Sequence, residues 1–283
     1  MEAKSSREIY LSVLLSCYNE SSMIEGCVSK LIPFLETLNT NYELIVIDDF
    51  SKDKSVEIIR NLQANNEKIK LLRNPRNMGK GFSIKNGMLN CRGTYIVFTD
   101  MDMAYSLDNI KAVLSELENG SDIVVGNRRL VESVYTVPNR LIKYVYRRHS
   151  VGMIFNFLVR HMFGLTIRDT QSGLKGFNRA TALSLFPRIN TDRFVFDVEI
   201  FILAKALTKK VKEVPVHLNY FSQLSTVNIL RYSLKALAEI ASIKFYQLRG
   251  KYSQGERSTI PAEAGQGGHL EPLVQRKASG QRK

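Results

Sequence analysis

Cysteine is scarce in this chain, and long uninterrupted apolar runs are absent. Cys17, Cys27 and Cys91 are odd in number and lack paired metal-ligand spacing, which argues against a disulfide framework or a zinc site. No window supplies the about 18 uncharged apolar residues that a bilayer core demands. The best candidates are broken by Arg160, Lys205, Lys235 or Glu239, so no membrane-spanning helix is expected. Met1–Ile9 is polar, and the apolar stretch Tyr10–Leu15 is too short for the core of a signal peptide. The expected location is therefore the cytosolic side. Acidic residues are a minority too: 27 Asp and Glu stand against 40 Lys and Arg, a formal net charge of +13. Such a balance attracts nucleic acid, anionic membrane or phosphorylated substrates, and by itself selects none of them.

What is present is enough apolar residue, 44% of 283, for one large domain with appendages. Tyr10–Ser16, Glu43–Ile47, Ile69–Leu72 and Tyr95–Thr99 are short apolar runs that read as strands. Ser22–Leu38, Ser55–Ala64, Lys80–Leu89 and Leu107–Glu118 lie between and after them with helical apolar spacing. Alternation of this kind predicts an α/β fold, a mostly parallel sheet flanked by helices. Asp122–Gly126 reads as a further strand, Arg128–Arg168 as loops and amphipathic helix, Phe194–Thr208 as helix and Val211–Val216 as strand. Ile229–Leu248 repeats Leu230, Leu234, Leu237, Ala241 and Phe245 among Arg231, Lys235, Lys244 and Arg249, the pattern of a basic amphipathic helix. The expected organisation is a catalytic domain over 8–225, this helix over 226–250, and a disordered basic tail over 251–283 rich in Gly, Ser and Gln.

In open α/β sheets, ligands bind outside the carboxyl ends of the strands. Asp100-Met101-Asp102 follows the strand Tyr95–Thr99, and its two carboxylates can reach one hard divalent ion that also binds substrate phosphates. The same residues would serve as a turn or a cap. Asp48 and Asp49 end another strand and could accept hydrogen bonds from a base or ribose, or cap the helix from Ser55. In Asn77-Met78-Gly79-Lys80-Gly81 the glycines permit close backbone approach and Lys80 offers charge to phosphate.

Taken in order, Ser16-Cys17-Tyr18-Asn19-Glu20, Ile47-Asp48-Asp49-Phe50-Ser51-Lys52-Asp53 and Asp100-Met101-Asp102 resemble family 2 glycosyltransferases of the Rossmann-like GT-A fold. Within that family Asn77–Gly81 and Asp169-Thr170-Gln171-Ser172-Gly173-Leu174-Lys175-Gly176-Phe177 look most like polyprenyl-phosphate sugar synthases, the second motif favouring the glucose branch. Phe196–Glu199 and Glu213–Val216 fit in order and spacing, and read equally as a helix start and an edge strand. The resemblance implies an opening loop at Tyr18 and Glu20, a base-binding loop at Asp48 and Asp49, and magnesium or manganese on Asp100 and Asp102. Four positions depart from it: Cys17 for a proline, Phe50 for a glycine, Ala104 at a third metal ligand, and Thr226 for a lysine.

The resemblance further implies an inverting transfer of a hexose from UDP-glucose or GDP-mannose to a polyprenyl phosphate such as dolichyl or undecaprenyl phosphate. A phosphomonoester is largely dianionic near neutrality, with a second pKa of about 6, so it can attack without a general base. It needs cationic positioning instead. Arg128, Arg147 and Arg148 are the candidates, with Ser172, while Asp169 orients acceptor groups or caps a turn. Each arginine is equally readable as a solvated basic face. Val151–Leu158 and Ile229–Leu248 set apolar beside basic residues, suiting a membrane surface, a second copy of the chain or a membrane-protein partner. Two other readings stay open: a hydroxyl acceptor served by Asp169 or Asp197 as base, and a nucleic-acid-binding protein suggested by Arg140–Arg168, which lacks any zinc, RNP or recognition-helix pattern.

Overall fold

The computed structural model describes residues 8–193, 195–220 and 229–252. Four βα units and a fifth strand come first. They are β1 (Leu11–Cys17), α1 (Ser21–Thr37), β2 (Tyr42–Asp48), α2 (Ser55–Asn65), β3 (Ile69–Arg73), α3 (Lys80–Asn90), β4 (Tyr95–Asp100), α4 (Leu107–Glu118) and β5 (Ile123–Asn127). A short β6 (Val134–Thr136) and the long α5 (Ile142–Phe163) follow, then β7 (Lys175–Asn178), α6 (Arg179–Leu185), α7 (Phe196–Ala206), β8 (Val211–Pro215), β9 (His217–Asn219) and α8 (Ile229–Leu248).

Among the described residues seven strands form one sheet in the order β3-β2-β1-β4-β7-β5-β8. The β1, β2, β3 and β4 pairings are parallel, β7 is antiparallel to both neighbours, and β8 runs parallel to β5 at the edge. β6 and β9 make a separate parallel pair. The expectation of a mostly parallel sheet between helices holds. β6 falls within Arg128–Arg168, where loops and helix were expected, and no element was expected at β7 or β9. β7 is four residues long, with Lys175 and Asn178 at its ends, and its pairing partners are remote in sequence.

Both faces of the sheet are covered, which is why the central strands read as continuous apolar runs. Leu14, Ile45, Ile47, Ile96, Phe98 and Phe177 join Ile84 and Met88 of α3 with Phe196, Ile200 and Leu203 of α7 in one core. Val13, Leu15, Leu44, Val46 and Val97 join Ile24, Val28 and Leu31 of α1, Ile59 of α2 and Val113 of α4 in the other. Each of these large side chains stabilises the fold by about 1.5–3 kcal/mol through burial. α8 contributes Ile240 and Ile243 to the first core, so it is a packing element as well as a surface one. α5 is anchored by Val159 and Phe163, yet leaves Tyr146, Ile154, Phe157, Leu158 and Met162 more than 40% exposed.

Candidate active site

Strand register gathers the motif residues at one edge. Cys17 pairs with Asp48, Ser16 with Asp100, and Asp48 with Arg73, so the loops beginning at Tyr18, Asp49, Asn74 and Met101 leave the sheet side by side. The first two are stitched together. Asn19 N–H donates to Ser51 Oγ at 2.9 Å, Lys52 N–H to Asn19 Oδ1 at 2.8 Å, and Ser21 N–H to Asp53 Oδ2 at 3.0 Å. Asp53 also accepts from Ser55 N–H at 3.0 Å, so α2 is started by Asp53 rather than by Asp48 or Asp49.

Those two aspartates are committed to protein. Asp49 accepts from Asn74 Nδ2, Met78 N–H and Gly79 N–H, all at 2.8 Å, and so fixes the loop carrying Asn77, which is itself exposed. Asp48 is fully buried, accepts from Ser51 N–H and lies 3.3 Å from Arg73 Nε. The glycine of this loop has a local cause. Gly79 has φ of 99°, and a Cβ there would stand 2.5 Å from the carbonyl oxygen of Asp192, so the close approach served is that of protein backbone.

Lys80 Nζ is bound to Asp100 Oδ1. Burial lowers the lysine pKa, but the charges of Asp100 and Asp197 outweigh that and raise it. Asp102 Oδ1 accepts from Ala104 N–H at 3.0 Å in the turn after Asp100. Glu20 approaches from the β1 loop: its Oε2 is buried without a hydrogen-bond partner, and burial together with the charges of Asp100 and Asp102 pushes its pKa up to about 7. Among the described residues no three His, Cys, Asp or Glu side chains are grouped to hold a metal ion, but two aspartates in one turn, one of them already neutralised by an ammonium, suit a hard divalent cation shared with substrate phosphates. Asp100 and Asp102 would hold it. Gly173 packs against this point, since a Cβ there would fall 2.1 Å from Asp100 Oδ2.

The acceptor candidates divide. Arg128 forms a bidentate pair with the buried Asp169, Nε to Oδ2 at 2.7 Å and Nη2 to Oδ1 at 2.9 Å, and also donates to the Gln171 carbonyl at 3.0 Å. Burial would raise the Asp169 pKa, but the charge and hydrogen bonds of Arg128 hold it at about 2. Ser172 does not face the cleft as expected. It is fully buried, 3.0 Å from the Tyr105 hydroxyl, because insertion of β7 between β4 and β5 turns the Thr170–Gly173 segment inward. Arg147 is exposed on α5, and the Arg148 side chain lies outside the described residues, as does Leu224–Asn228.

Sequence reasoning missed Arg129 and Lys175. Arg129 donates Nη2 to the Gly152 carbonyl at 3.1 Å, while its buried Nε has no partner. Lys175 is fully buried and donates to Asp197 Oδ1 at 2.7 Å and to the Ser172 carbonyl at 2.5 Å. Double arginine after a strand end was a readable signal for the first, whereas nothing in sequence foretold the second. Glu199 and Glu213 are likewise structural. Glu199 ties Thr191 and Tyr252 to α7, and Glu213 receives Asn127 Nδ2 and Arg168 N–H.

Asp100, Asp102 and Glu20 lie at the strand ends beside a backbone loop fixed by Asp49, and residues 12–186 match the family model described as Glycosyl transferase family 2. The chain belongs to that family. This glycosyltransferase is 32% identical over 254 residues to a dolichyl-phosphate beta-glucosyltransferase of Dictyostelium discoideum, covering 86% of this chain and 76% of that one. A protein of the same description from Trichomonas vaginalis is 30% identical over 264 residues, 90% and 76% of the two chains. These relatives fit the glucose branch of the polyprenyl-phosphate sugar synthases. The fold is shared with glucosyl-3-phosphoglycerate synthase from Mycobacterium tuberculosis, solved with Mn2+ and UDP, at a TM-score of 0.58 and 18% identity over 84% of this chain and 80% of that one.

Proposed function

We propose that this glycosyltransferase moves glucose from UDP-glucose to dolichyl phosphate, with inversion at the anomeric carbon, at the cytosolic face of a membrane. The observation that carries the acceptor class is the pairing of carboxylates in the cleft. Asp100 is paired with Lys80, Asp169 with Arg128 and Asp197 with Lys175. A hydroxyl acceptor needs a base, and the two suspected bases are each tied to a cation, Asp169 to the half-buried Arg128 and Asp197 to the buried Lys175. An acceptor that arrives as an anion needs none. The names of the relatives favour glucose and dolichyl phosphate as the two substrates.

In this reading Tyr18 and the Asp48–Phe50 loop receive the nucleoside, and the Asn77–Lys80 loop borders its phosphates. Asp100 and Asp102 would hold magnesium or manganese, whose charge would offset that building on a departing diphosphate. Lys80, paired with Asp100 here, would offer its ammonium to the phosphate oxygens. Arg129, with an unsatisfied donor, and Arg128, held in orientation by Asp169, face the acceptor phosphate. The exposed apolar residues of α5, with Phe245 and Leu248 of α8 and flanking cations, contact the lipid surface. Among the described residues no helix is long and apolar enough to cross a membrane, and surface contact requires none.

The test is a transfer assay with labelled UDP-glucose or GDP-mannose, dolichyl phosphate and Mg2+ or Mn2+, followed by organic extraction. Glucose label entering the organic phase is expected. Label that stays aqueous with every donor, or moves only to a hydroxyl acceptor, refutes the acceptor assignment.

A further inference from the structure

Phe50 stands where the family resemblance expects glycine, and the backbone retains what a glycine would favour: φ is 67°. A bulky side chain with positive φ is strained, and such strain concentrates at functional sites. Core packing does not account for it, because the ring is 38% exposed and follows the last buried residues of β2. Arg73 meets the ring: its guanidinium carbon lies 5.2 Å from the ring centroid, while its Nε lies 3.3 Å from Asp48 Oδ2. Asp48 and the ring thus hold the guanidinium between them. Tyr18, 44% exposed, leaves the neighbouring strand directly after the register partner of Asp48. The hydrogen bonds of Asn19, Ser51 and Lys52 lock the two loops into one surface. Two exposed aromatic residues on a rigid ledge, one kept there against backbone preference, make a seat for a flat ring.

We propose that Phe50 is a base-contacting residue of the donor site, stacking its ring on the nucleobase of a nucleoside diphosphate while Arg73 braces it. This deepens the donor reading above and rests on it. The contact is to the base alone, so Phe50 governs nucleotide affinity and leaves the transfer step untouched. A stacked aromatic contact is commonly lost at a cost of about tenfold in affinity.

Titration calorimetry with UDP, GDP and inorganic diphosphate in the presence of Mn2+ tests this on wild type, F50G, F50L and F50Y, with thermal melts alongside. Phe50→Gly relieves the backbone, so its Tm should equal or exceed that of wild type even as its Kd for the nucleoside diphosphate rises about tenfold. Diphosphate affinity should not change. Phe50→Leu keeps the strained backbone and the bulk and should also lose affinity, whereas Phe50→Tyr should retain it. In turnover the donor KM should rise in F50G with kcat within about twofold. Folded F50G and F50L that bind the nucleotide as tightly as wild type overturn the role of Phe50 and leave the donor reading intact. Wild-type protein that binds neither UDP nor GDP overturns both.

Discussion

Asp169→Asn isolates the contribution of one buried charge. Asp169 is fully buried, its two oxygens accept from Arg128 Nε, Nη2 and backbone N–H, and asparagine preserves the shape while removing the charge. Arg128, half-buried, is then left without its counterion; for a buried pair such a loss costs about 3–5 kcal/mol, and partial exposure puts this case at the lower end. The carboxyl is held at about 2 against an ordinary 3.8, which contributes about 2 kcal/mol of the stability at pH 7. Because the folded pKa is depressed, that part is fully present above the unfolded value and disappears as pH falls through about 2. Urea unfolding of wild type and variant should therefore differ by about 3 kcal/mol at pH 7. The difference should stay flat to about pH 5 and narrow by about 1.5 kcal/mol by pH 2.5. A difference below about 1 kcal/mol at pH 7, or one that does not narrow in acid, would refute the ion-pair reasoning. The same variant bears on chemistry. If Asp169 positions Arg128 rather than removing a proton, acceptor KM should rise while the activity that remains shows no new dependence on pH between 6 and 8.

Asp102→Ala should lower turnover by at least about a hundredfold without shifting the melt, and chelation of divalent ions should do the same to wild type reversibly; near-normal turnover in the variant refutes the metal assignment. Gly173→Ala places a Cβ 2.1 Å from Asp100 Oδ2, so it should destabilise by about 1–3 kcal/mol in urea melts and weaken Mn2+ binding; an unperturbed melt would show that the turn yields freely. The double substitution of Ile154 and Phe157 by Asp, at positions 64% and 57% exposed, should abolish flotation with anionic liposomes while sparing stability, and flotation equal to wild type would remove α5 from the membrane contact.

How much of this was legible in sequence depends on the range of the interaction involved. The βα alternation and the strand-end motifs are written in local periodicity, and the elements from β1 to β5 lie within a residue or two of where their apolar spacing puts them. β7 was not legible. Its four residues carry little strand signal, and its place between β4 and β5 is fixed by backbone pairing to Tyr95–Phe98 and Ile123–Val125. That one placement decides several others: it turns Ser172 under Tyr105, sets Gly173 on Asp100 and buries Lys175 against Asp197. Residue type could nominate Asp48, Asp49, Asp169 and Arg128 as functional, but it could not say that each would be met by a protein partner. Such pairing is a property of distance, and Lys80 and Asp100 stand 20 residues apart, Arg128 and Asp169 41 apart. The consequence runs against the first intuition that more carboxylates in a cleft mean more candidate bases. Asp169 is held ionised by Arg128 and Asp197 is tied to Lys175, so the reacting anion is best supplied by the acceptor. What remains for the protein is to offer unsatisfied donors, and Arg129 Nε, invisible as such in the sequence, is one.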